Sequence, residues 1–97
     1  MPNFREKLED LMGTRGAYIL DKEFNILGKV PTAELEGTLK GLANIHAVVF
    51  DGEITREIAH AAENSNAMFI VGMNSKVRPG ETRATVLTHK DLVAAAA

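Results

Sequence analysis

Two unbroken apolar runs, residues 46–50 (HAVVF) and 68–72 (MFIVG), constrain this chain more than any other feature. Each has the length of a strand, and neither alternates between apolar and polar positions. A strand with one face in water shows that alternation, whereas a strand covered on both faces, as in a parallel sheet, does not need it. Between the runs, Ile54, Ile58, Ala61 and Ala62 fall on one face of a helix, which Asn64, Ser65 and Asn66 stop. Strand, helix and second strand then form a right-handed parallel crossover.

The rest of the chain supplies partners for that unit. Phe4, Leu8, Leu11 and Met12 make one apolar stripe of a first helix, with Arg5, Glu6, Lys7, Glu9 and Asp10 on its other side. Pro2 suits its first turn and Gly13 its C-terminal cap. Residues 17–21 (AYILD) and 26–30 (ILGKV) read as a β-hairpin whose loop holds Asn25, a residue that tolerates positive φ. Gly28 marks a bulge or a close backbone approach. Pro31 closes the hairpin. Thr32 is placed to cap a helix with Glu34 and Glu36 in its first turn and Leu35, Leu39 and Leu42 on its buried stripe. Gly37 and Gly41 each lower its propensity by about 1 kcal/mol, so this helix depends on packing.

Residues 73–83 form a polar loop, and residues 84–88 (ATVLT) a last strand. Thr88 and Asp91 have the spacing of a capping box for a closing helix from Asp91 onward. The order α-β-β-α-β-α-β-β predicts an α/β fold with a mixed, mostly parallel five-stranded sheet flanked by helices. Residues 1–93 are expected to be a single domain and 94–97 an alanine tail.

The 97 residues suffice for one core without staples. The chain has no cysteine, which excludes disulfides, thiolate metal sites and a thiol nucleophile. His46, His60 and His89 form no zinc spacing, and His46 reads as a strand-entry residue. A net charge of −2 argues against a polybasic nucleic-acid binder as a whole. No apolar run approaches the ~18 residues of a membrane span, and the opening residues make no signal peptide, so a soluble, cytoplasmic protein with no membrane partner is expected.

Ligands of open α/β sheets gather at the C-terminal ends of parallel strands. Asp51, Gly52 and Glu53 follow the first apolar run; Met73, Asn74, Ser75 and Lys76 follow the second. Asp51 and Glu53 can be a Mg²⁺ pair, or Asp51 can cap the following helix or turn while Glu53 is solvated. The 73–83 loop carries Lys76, Arg78 and Arg83 against Glu81, a local positive excess that suits phosphates or a solvated connection. It has no aromatic residue for base stacking. Arg15, between helix and hairpin, is an anion contact or part of a turn. The candidate ligand or partner contacts are therefore Asp51, Gly52, Glu53, Lys76 and Arg78. No Walker loop, GxGxxG, nucleophile elbow or other catalytic constellation is present.

The stretches 13–21 (GTRGAYILD), 25–35 (NILGKVPTAEL), 47–63 (AVVFDGEITREIAHAAE) and 68–76 (MFIVGMNSK) resemble the C-terminal domain of archaeal DnaG-type primases. The resemblance runs from about Phe4 to Leu92, and its most specific string is VVFDG-x-I-T. It implies a parent protein with a central Toprim domain whose metal-binding carboxylates, with Mg²⁺, make RNA primers. The Toprim pattern needs a Glu after an early strand and a DxD after a later one. Asp51–Gly52–Glu53 departs from DxD in its third residue, so that motif does not transfer and no cofactor is expected in this segment.

The resemblance also implies association with the archaeal RNA exosome and with adenine-rich RNA, and attributes it mostly to regions of the parent protein outside this segment. The expectation is a non-catalytic C-terminal module, as a fragment or a free-standing relative. It would support the Toprim domain or contact RNA or a partner protein, its partners being the rest of the primase chain, exosome subunits and RNA. The alternative is a small Mg²⁺-dependent nucleotide or nucleic-acid enzyme using Asp51 and Glu53, with Lys76 neutralising a phosphate. A third reading is an oligomerising domain whose first helix packs on a neighbouring copy.

Overall fold

The apolar stripe of the first helix folds as expected. A computed structural model describes residues 3–78 and 80–96, and in it α1 (Phe4–Leu11) buries Phe4, Leu8 and Leu11. Asn3 caps α1 by accepting from the Glu6 N–H, and Gly13 follows the helix at φ +84°. Met12 leaves the stripe and is exposed, because the helix has already ended at Leu11. The expectations for Pro2 and for the last alanine lie outside the described residues.

The hairpin is β1 (Gly16–Leu20) against β2 (Ile26–Pro31), antiparallel. Its bulge lies beside Gly28: Ile19 pairs with Gly28 but Leu20 with Ile26, which leaves Leu27 without a partner. The left-handed residue of the loop is Phe24 (φ +62°), not Asn25. The Asp21 carboxylate accepts from the Glu23 and Asn25 N–H groups and holds the loop. In that conformation the Phe24 ring meets Phe4 at 5.6 Å and His46 at 5.1 Å, so aromatic packing overrides the local preference.

Helix α2 (Thr32–Lys40) buries Leu35 and Leu39. Its N-cap is Pro31 rather than Thr32, with no capping side chain, and Leu42 lies beyond the helix and is exposed. Strand β3 (Ala47–Phe50) is buried throughout. The backbone of its entry residue His46 donates to the Leu20 carbonyl and accepts from the Met68 N–H. Ile54 does not join the following helix. It is buried in a two-residue strand, β4 (Glu53–Ile54), and Thr55 then caps α3 (Arg56–Asn64).

Strand β5 (Phe69–Gly72) is followed by β6 (Asn74–Ser75), and the chain closes with β7 (Thr85–Thr88) and α4 (His89–Ala96). Thr88 and Asp91 make the expected reciprocal box: the Asp91 carboxylate accepts from the Thr88 N–H and hydroxyl, and the Asp91 N–H donates to the Thr88 hydroxyl.

The five-stranded sheet has the order β2-β1-β3-β5-β7. β3, β5 and β7 are mutually parallel, and only β1 runs against the others. α2 and α3 pack on one face around Val48, Phe50 and Ile70; α1 and α4 flank the other around Leu20, Val49 and Val71.

A second, two-stranded ladder extends from the C-terminal ends of β3 and β5. There β4 and β6 pair in parallel, Glu53 with Asn74 and Ile54 with Ser75. The 73–83 segment is thus not wholly irregular: it holds β6 and buries Val77 in the α2–α3 core. Gly72 is required for this second ladder. A Cβ there would stand 2.8 Å from the Ile54 side chain and 2.9 Å from the Gly52 carbonyl oxygen. Gly72→Ala should therefore destabilise the fold by about 1–3 kcal/mol in urea unfolding. Gly37→Ala, in open space on α2, should stabilise it by up to about 1 kcal/mol. Equal midpoints for the two variants would contradict this packing.

Candidate functional site

Four of the five strands of the main sheet direct their C-terminal ends to one side of the molecule, where the sequence places its candidate contacts. Asp51 leaves β3 there. One oxygen of its carboxylate accepts from the N–H groups of Gly13 and Arg15, each at 2.9 Å, while its own N–H donates to the Gly16 carbonyl. Arg15 is held by these bonds at φ +54°. Asp51 therefore ties the α1–β1 turn to the central strand. It does not cap the helix that comes after it, where Thr55 is the cap.

Gly52 supplies its carbonyl to the Met73 N–H at 2.8 Å. Glu53, the first residue of β4, faces Lys76 with its carboxylate 3.7 Å from the ammonium. Asp51 already serves two backbone donors, Glu53 is opposed by a cation, and among the described residues no three His, Asp or Glu side chains gather as metal ligands.

Beyond Lys76 the chain crosses over α3 as a strap that joins β5 to β7. The root of the strap is held by backbone bonds, with the Lys76 N–H on the Ile54 carbonyl, and by Ser75, whose hydroxyl bonds both the N–H and the carbonyl of Val77. Its outer part is held by charge. Glu81 accepts from the Arg78 N–H and lies 3.8 Å from the Arg56 guanidinium. Glu63 on α3 accepts from Arg83 at 2.8 Å and from the Thr82 hydroxyl at 3.3 Å. The Arg83 hydrogen bond holds the Glu63 carboxyl below its ordinary pKa. A cleft of about 410 Å³ lies between α3 and the strap, lined by Arg56, His60, Glu63, Val77 and Thr82 among others.

The structure thus brings Lys76 onto Glu53 and leaves Arg78 exposed, its side chain without a carboxylate partner among the described residues. It also adds Arg56 and Glu63, which the sequence pattern did not single out. They are seven residues apart on an exposed helical face, and that spacing was the available signal.

Curated proteins named DNA primase DnaG match most of this chain, among them the following three. The protein of Thermofilum pendens is 37% identical over 76 residues, covering 78% of this chain and 17% of its own. That of Thermococcus kodakarensis is 33% identical over 72 residues, with 74% and 16% covered. That of Staphylothermus marinus is 33% identical over 92 residues, with 92% and 22% covered. This chain is a DnaG-type primase-related domain. It spans about one sixth to one fifth of the length of those relatives. No family model matches it, and no solved structure does. No described helix of the DnaG-related domain is long and apolar enough to cross a membrane.

Asp51→Ala should lower stability by about 1–2 kcal/mol, because it strips an acceptor from two backbone donors. In Mg²⁺ titrations the amide signals of Asp51 and Glu53 should not shift at several millimolar; a saturable local shift would restore the metal reading. The depressed Glu63 pKa makes the Arg83–Glu63 contribution complete above the ordinary Glu range and lost as pH falls through the lowered value. Amide exchange at Arg83, whose backbone N–H also bonds the Glu63 carboxylate, corrected for intrinsic pH dependence, should therefore lose protection on acidification. Unchanged protection would contradict it.

Proposed function

We propose that this DnaG-related domain is a non-catalytic module of a primase. It packs beside the part of the protein that carries the polymerising chemistry and offers RNA a contact along the strap. Relationship to DNA primases over most of the chain carries the first part of this reading. The position of Asp51 supports it, since the carboxylate that most invites a catalytic role at the end of a buried strand is used to hold a turn.

The strap supports the RNA contact. Lys76, Arg78 and Arg83 lie on it and Arg56 lies against it, in a chain whose net charge is −2. Cations set along one exposed segment suit a phosphate backbone, which is bound through charge and without base recognition. The strap has no aromatic side chain, so the contact would be to phosphate and sugar. Association with exosome subunits is the partner role that the family resemblance adds, and it would bring the same RNA to this surface.

Fluorescence anisotropy with labelled oligoadenylate at low salt tests the contact. Lys76→Ala and Arg78→Ala should each weaken binding, and each should reduce the slope of log K against log salt, Arg78→Ala by about 0.7 and Lys76→Ala, whose partner is Glu53, by less. Binding that is absent at low salt, or indifferent to both substitutions, would remove RNA from this surface.

A further inference from the structure

Three cations on or against the strap are already engaged, and by carboxylates of this same chain. Lys76 faces Glu53 at 3.7 Å, Arg56 faces Glu81 at 3.8 Å and Arg83 meets Glu63 at 2.8 Å. Only Arg78 lacks such a partner among the described residues. In every pair the cation is the outer member. Side-chain exposures are 71% against 39% for Lys76 and Glu53, 77% against 37% for Arg56 and Glu81, and 81% against 24% for Arg83 and Glu63. Two of the carboxylates are also fixed by a second donor, Glu81 by the Arg78 N–H and Glu63 by the Thr82 hydroxyl. Glu63 and Glu81 are therefore anchored, and the cations are long, more exposed side chains able to turn outward.

From this arrangement we infer that Glu53, Glu63 and Glu81 occupy the place of phosphates on an unliganded strap, so that RNA binds by exchange and the acids set a threshold for binding. The inference rests on the RNA contact proposed above. Exchange is feasible because exposed ion pairs are weak and each can be given up for a modest cost. The root of the strap stays in place, since it is held by the β4–β6 ladder and by buried Val77, which do not depend on these pairs. The threshold also acts on salt dependence. Carboxylates released by RNA recruit cations from solution, which offsets part of the counterion release that drives binding and flattens the salt slope.

The test is oligoadenylate anisotropy on the whole chain with Glu53→Gln/Glu63→Gln/Glu81→Gln. Gln keeps an acceptor oxygen for the Arg78 and Thr82 donors, and circular dichroism melts verify the fold. Glu53→Gln alone, which touches only Lys76, provides a second variant least able to disturb folding. The comparison is Glu6→Gln/Asp10→Asn/Glu23→Gln, which changes net charge equally on α1 and the hairpin loop.

The triple strap variant should bind about tenfold tighter, Glu53→Gln about two- to threefold tighter, and the comparison variant within about twofold of the parent. The salt slope of the triple variant should steepen by up to about 2. Equal gains in the strap and comparison variants would overturn the exchange and leave only long-range charge. No gain in the strap variant, while Lys76→Ala still weakens the parent, would overturn the exchange and leave the RNA contact standing. No binding by any of the proteins would overturn both.

Discussion

The absence of a side chain at Gly72 is the constraint on which this end of the molecule depends. A Cβ there would press on Ile54 at 2.8 Å and on the Gly52 carbonyl at 2.9 Å. With only hydrogen in that space, the backbones that leave β3 and β5 stay close enough to pair again as β4 and β6. The second ladder orients the strap. Met73 and Lys76 find backbone acceptors in Gly52 and Ile54, Val77 enters the core, and the chain passes over α3. Parallel neighbours need a crossover of a dozen or so residues, usually a helix. Here the β5–β7 crossover is a strap with its root in a ladder, and α3 serves as the surface it crosses.

Asp51 shows how a structural carboxylate comes to look catalytic. The C-terminal end of a buried central strand is where polar side chains first reach solvent, and it is also where neighbouring turns need acceptors. Gly13 and Arg15 lie 38 and 36 residues away in sequence, so no local pattern announces that their N–H groups converge on Asp51. The choice between ligand and cap is made by the tertiary approach of α1 to β3.

The same division between local and distant causes runs through the fold. Features set by local or two-sided burial were legible in the sequence: the apolar runs that became β3 and β5, the Phe4–Leu8–Leu11 stripe, Gly13 after α1, and the Thr88–Asp91 box. Features decided by a distant contact were not. Ile54 has the periodicity of a helix face but is drawn into β4 by its pairing with Ser75. Phe24 takes the left-handed conformation that Asn25 would adopt more easily, because its ring is wanted between Phe4 and His46. The loop composition of 73–83 concealed β6, since two residues carry too little periodicity to register as a strand. At the candidate site the positive members were visible as a basic loop, whereas their partners Glu53 and Glu63 belong to other elements.

Charge along the chain and charge on the surface differ for the same reason. Counted along the sequence, the strap is a basic island in an acidic chain. In three dimensions three of the cations in and around it are each paired with a carboxylate. Such pairs contribute little to stability, because solvent screens them and ordering long side chains costs entropy. Their weakness as staples is what allows them to act as exchangeable partners. A buried pair would hold the strap shut, and an unpaired set of cations would attract any polyanion. Exposed pairs on a strap anchored by Val77 and a backbone ladder fall between these limits, with the fold secured independently of the charges that a ligand would have to rearrange.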